Sequence, residues 1–77
     1  MNKARRKELE AISDELVALM DRVQEVIDEE QDAYDNLPES IQDSERGEQM
    51  QEYISQLEDA QSSMEDANDY ITEVYGL

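Results

Sequence analysis

Carboxylates are the one abundant reactive group in this chain: 22 of its 77 residues are Asp or Glu, and it contains neither His nor Cys. A Ser-His-Asp or Cys-His arrangement cannot be assembled from these residues, and the usual zinc ligand sets are missing. Two carboxylates can share acid and base roles, but only in an enclosed site that pushes their pKa values apart. Lys occurs only at Lys3 and Lys7. The expectation is a protein that is not an enzyme and carries no cofactor.

Metal binding is the other chemistry open to carboxylates. Residues 28 to 39 loosely follow a calcium-loop spacing, with Asp28, Glu30, Asp32 and Glu39 at its first, third, fifth and twelfth positions. Ala33 stands where such a loop needs Gly, and the segment keeps a helical pattern, so a solvated acidic helix end is the better reading. The Glu-x-x-His pairs of ferritin-like di-iron sites are absent. Glu30 is the one carboxylate that falls in an apolar register, where it reads as a register-setting polar residue or one near the open end of the bundle.

The elements that carry these groups follow from heptad spacing. With position a set at Leu9, the a and d residues are Leu9, Ile12, Leu16, Leu19, Val23, Val26, Glu30, Ala33 and Leu37. Position e adds Met20, Ile27 and Tyr34, which widens the apolar stripe beyond a two-stranded seam. Position f reads Asp14, Asp21, Asp28 and Asp35. This predicts a first helix over about residues 3–36. Asn36-Leu37-Pro38 ends it, because Pro38 cannot continue the ladder, although Pro38 could open a short helical turn through Ile41. Ser44 suits an N-cap, with Glu45 and Glu48 matched to the helix dipole, and Gly47 reads as punctuation. A second helix is predicted over about 45–75, with Met50, Tyr53, Leu57, Ala60, Met64, Ala67, Ile71 and Val74 at a and d. The repeat Leu57-Glu58-Asp59-Ala60 and Met64-Glu65-Asp66-Ala67 keeps the same period, and Gly76 suits the helix end.

The chain is therefore expected to be one all-α domain over residues 1–77, an antiparallel two-helix, coiled-coil-like hairpin with a turn at 37–44. That arrangement sets Lys3, Arg5, Arg6 and Lys7 beside Asp66, Asp69 and Glu73. An a/d seam would leave Met20, Ile27, Tyr34, Ile54 and Tyr75 partly wet. A chain this short buries only about 60% of its unfolded surface. A homodimer forming a four-helix bundle is the expected remedy, with a partner protein's helices as the alternative. Leu19 and Leu57 read as core positions where Asp should abolish folding.

Charge narrows the partner. Residues 1 to 22 hold five basic and five acidic side chains, whereas residues 23 to 77 hold 17 acids and a single base, Arg46. The net −16 opposes direct binding to nucleic acid and to anionic membranes, and it favours a basic protein surface. No run approaches the roughly 18 apolar residues of a membrane span. The basic start is followed by acids rather than an apolar run, so a signal peptide is not expected and the cytoplasm is. The f-line Asp14, Asp21, Asp28 and Asp35, the acids Glu58, Asp59, Glu65 and Asp66, and the seam-flanking Tyr34, Tyr70 and Tyr75 are the candidate partner-binding residues. Over roughly 45 Å of helix, a dimer would carry one charge per about 1.4 Å against about 1.7 Å for duplex DNA, which admits a DNA mimic.

The stretch from Glu29 to Glu48 contains Asn36-Leu37-Pro38-Glu39-Ser40 and Ser44-Glu45-Arg46-Gly47-Glu48. It resembles small acidic uncharacterised helical proteins of bacteria and their phages that share these pieces between two helical arms. The resemblance covers the middle quarter of the chain and carries no site residues. It implies a phage or mobile-element origin, action in the host cytoplasm, and inhibition of a host defence or nucleic-acid-handling protein. An adaptor module that completes a larger bundle and a small-ligand sponge are the alternatives.

Overall fold

The computed structural model describes residues 1–76 and is an all-helical hairpin: α1 (Lys3–Asp35), a single turn α2 (Glu39–Gln42) and α3 (Glu45–Tyr75). Neither α1 nor most of α3 contains a residue that breaks helix, so each runs until its capping signals. Asn2 caps α1 by accepting a hydrogen bond from the Arg5 amide at 2.8 Å. At the far end Pro38 lacks an N–H and stops the ladder. Its carbonyl then opens α2, accepting from the amides of Ile41 and Gln42 at 2.9 and 3.0 Å. Ser44 is the N-cap residue of α3, but its hydroxyl does not cap; it donates backward to the Ile41 carbonyl and ties α2 to α3.

Three long-range hydrogen bonds, at two sites, fix how α1 meets α3. The Ser13 hydroxyl donates to Asn68 Oδ1 at 2.6 Å, and Gln61 Nε2 donates to the Met20 carbonyl at 3.3 Å and to Gln24 Oε1 at 2.9 Å. Both Ser13–Asn68 and Met20–Gln61 obey one antiparallel register, in which residue i stands level with residue 81 − i. The same register sets Ile27 level with Ile54, the two buried apolar side chains among the described residues, and Tyr34 level with buried Gly47.

The seam is therefore built from positions a and e, not a and d. Ser13, Ile27 and Ile54 are buried and Met20, Tyr34, Gln61, Asn68 and Tyr75 are half-buried. The side chains expected to stay wet at e are those the hairpin covers. In exchange the d column faces outward: Ile12, Leu19, Val26, Tyr53 and Val74 are between 39% and 50% exposed. Tyr53 and Leu19 are thus not core residues. Hydropathy ranks d above e, because e includes Ser13, Gln61 and Asn68. Ser13 and Asn68 satisfy one another across the seam and Gln61 donates to the Met20 carbonyl and Gln24, which removes most of the cost of burying them.

Gly47 is not punctuation either. It lies inside α3, and a β-carbon there would overlap the Gln42 backbone carbonyl, so only glycine lets α2 fold this closely against α3. Gln42 completes the corner by donating from Nε2 to the Tyr34 carbonyl at 3.0 Å. The register also revises the charge pairing at the open end. Lys7 is level with Val74, Glu73 lies at position c on the outer edge of α3, and Asp69 and Asp66 are level with Ile12 and Glu15, away from the basic cluster.

The result is a rod. Its Cα extents are 58 × 15 × 12 Å and its radius of gyration is 17.4 Å, against about 11.5 Å expected for a compact domain of this length.

Candidate interaction surface

An a/e seam gives the hairpin two unlike broad faces. At 100° per residue, position d lies to one side of the seam on both helices, and positions b and f lie to the other. We call the d side the front and the b/f side the back.

The front is a continuous apolar groove. Leu19, Val23, Val26, Leu57 and Met64 line it, and it continues past Glu30 and Tyr53 toward the turn. Glu30, the carboxylate in the apolar register, is half-buried at this groove. Arg22 and Glu25 stand on its rim. Arg22 is the only base between Lys7 and Arg46.

The back is acidic. The f residues Asp14, Asp21, Asp28 and Asp35 are all exposed, and Glu58 and Glu65 at position b of α3 share that face. Glutamines one turn earlier hold two of these carboxylates: Gln24 Nε2 donates to Asp28 at 2.8 Å and Gln31 Nε2 to Asp35 at 3.0 Å. Asp59 and Asp66 lie at position c, on the outer edge of α3. They belong to a longer line: Glu45, Glu52, Asp59, Asp66 and Glu73 fill every c position of α3, spaced about 10.5 Å apart. Glu45, Glu52 and Glu73 were not among the expected partner-binding residues, although a column-by-column reading of position c finds them.

The tyrosines separate. Tyr34 and Tyr75 are half-buried in the seam, whereas Tyr70 is 72% exposed and sits at position g, on the rim of the front face. Residues 28 to 35 continue α1 without interruption, so they form no calcium loop. Among the described residues, no group of three or more Asp or Glu side chains is arranged to hold a metal ion.

In α1 the placement of charge opposes local helix stability, whereas the first turn of α3 carries the favourable Glu45 and Glu48. α1 has no acid in its first turn and no base in its last, and begins with Lys3, Arg5 and Arg6. Its last turn carries Asp32 and Asp35. Each such charge near a helix end acts against the dipole by about 0.3–1 kcal/mol. Among the described residues, no helix is long and apolar enough to cross a membrane. Compared with protein-family models, curated proteins and solved structures, the chain matches none, so the surface is read from its own geometry.

Proposed function

We propose that this chain is a small acidic protein-binding inhibitor that occupies the basic surface of a nucleic-acid-handling or host-defence protein. One observation carries the reading: two lines of carboxylates at helical spacing run along the back face and the outer edge of α3. The f-line and the c-line together expose nine acids. Placing acids at the wrong end of α1 costs helix stability, which supports a use for them other than folding.

The working unit in this reading is a homodimeric four-helix bundle. The 58 Å length revises the charge density expected from helix length alone. A side-by-side dimer carries one net charge per about 1.8 Å, close to the roughly 1.7 Å of duplex DNA, which supports a DNA mimic. The resemblance at residues 29–48 supports a phage or mobile-element origin and action in the host cytoplasm.

The test is affinity capture at low salt with the wild-type chain and with a variant whose f and c acids are changed to Asn and Gln. The expected partner is a basic protein that elutes in 1 M salt, is displaced by duplex DNA, and is missed by the variant. A partner that survives 1 M salt, or binds the variant equally, would sink the electrostatic reading.

An adaptor that completes a larger helical bundle is favoured by one observation, the apolar front face. Sedimentation of the purified chain separates the two, since a tight homodimer leaves no surplus apolar face for another assembly.

A further inference from the structure

We infer that the front face is covered by a second copy of the chain packed head to tail, with a two-fold axis at Leu19. The inference rests on the homodimer proposed above and adds its face and its orientation.

Among the described residues the lone hairpin buries two apolar side chains, Ile27 and Ile54, and leaves Leu19, Val26 and Tyr53 about half exposed on the front. The face measures 58 × 15 Å between Cα extremes, long and wide enough to take a second hairpin along its whole length. A face-to-face pair can be built in two ways. Turn can lie on turn, with α1 against α3 of the second copy, or turn can lie on open end, with α1 against α1.

Three features select the second. Leu19 is the midpoint of α1 (Lys3–Asp35), and Ile12 and Val26 lie seven residues to either side of it. The front stripe of α1 thus repeats about its own centre, and an axis at Leu19 sets Ile12 against Val26 of the second copy. The rim agrees. Glu15 and Arg22, both at position g, stand at nearly equal distances from Leu19 along the helix, so each Arg22 meets Glu15 of the second copy and the pair forms twice. With turn on turn, Arg22 would instead face the uncharged g residues Gln56 and Ser63.

Net charge along the rod gives the third argument. Side chains of residues 1–10 and 71–77 sum to +1, whereas those of residues 31–50 sum to −5. Head-to-tail packing places the basic end of one copy over the acidic end of the other, and turn on turn stacks the two acidic ends. Packing through d leaves the f-line exposed, because d and f lie about 160° apart around the helix.

The chain has no Cys, so a single Ser40→Cys variant can be spin-labelled in α2 without further changes. In the head-to-tail dimer the two labels should be separated by close to the 58 Å length of the rod. A separation below about half that length would overturn the orientation while leaving the homodimer standing. Leu19→Asp should convert the dimer to monomer in sedimentation with its helical signal largely kept. Val17→Asp, at an equally exposed site on the back, should not. Dissociation by Val17→Asp alone would place the interface on the wrong face. A wild-type chain that sediments as a monomer at 100 μM would overturn both the inference and the dimer it rests on.

Discussion

The Ser13 hydroxyl donates to Asn68 Oδ1 at 2.6 Å across 55 residues of sequence, and both side chains sit where an apolar seam would be expected. The pair shows how the hairpin chooses its seam. Each polar group is satisfied only when the helices meet in one register, so the bond selects that register against slipped alternatives.

This gives the first prediction. Ser13→Ala alone should lower stability by about 1–3 kcal/mol, because the Asn68 amide is left without its partner in a half-buried site. The double variant Ser13→Ala/Asn68→Leu should recover most of that loss and could exceed the wild type. Chemical denaturation of the four members of the cycle measures it. Additive losses would mean that the bond contributes nothing beyond its separate halves.

A second prediction concerns Gly47. In an ordinary helix interior, Gly→Ala stabilises by about 1 kcal/mol through backbone entropy. Here the new β-carbon overlaps the Gln42 carbonyl, so Gly47→Ala should lower the denaturation midpoint and loosen α2 from α3. A rise in the midpoint would show that α2 does not approach α3 this closely.

The misplaced charges of α1 give a third. Replacing Asp32 and Asp35 with Asn removes two acids from the last turn of α1 and should stabilise the fold by roughly 0.3–1 kcal/mol per site. Thermal melts by circular dichroism report the change. Asp14→Asn and Asp21→Asn, in mid-helix, should leave the melting curve nearly unchanged. A loss of stability at Asp32 or Asp35 would mean that those carboxylates hold the turn together.

Salt provides a fourth. With a net charge of −16, self-repulsion outweighs the few attractive pairs, so raising NaCl from 10 mM to 500 mM should raise the melting temperature. A fall would show that specific ion pairs dominate the stability of the fold.

The two long helices, their ends within a residue, and the stop at Pro38 were legible in the sequence, because heptad periodicity and proline chemistry act locally. The N-caps were not, since the Ser44 hydroxyl turns back to Ile41 and it is Asn2 that caps α1. The choice between a/d and a/e was not. Hydropathy reads each helix alone and ranks Tyr53, Ala60, Ala67 and Val74 above Ile54, Gln61, Asn68 and Tyr75. The seam is decided by what faces each residue 81 − i, and two polar side chains that satisfy one another are invisible to a one-helix reading. The acidic f-line was legible because aspartate recurs at every seventh residue there. The c-line of α3 was harder to see, since it mixes Glu45, Glu52 and Glu73 with Asp59 and Asp66 inside a uniformly acidic background.

The one-register seam also orders the molecule in time. Contacts near α2 join residues that are close in sequence, such as Gln42 and Tyr34, while Ser13 and Asn68 close a loop of more than fifty residues. Closure entropy grows with loop length, so the corner is the cheapest place to begin and the hairpin zips outward from it. Unzipping runs the other way. Amide exchange should be fastest in the first turns of α1 and the last turns of α3 and slowest near Ile27 and Ile54, with the basic terminus the first part of the rod to come free.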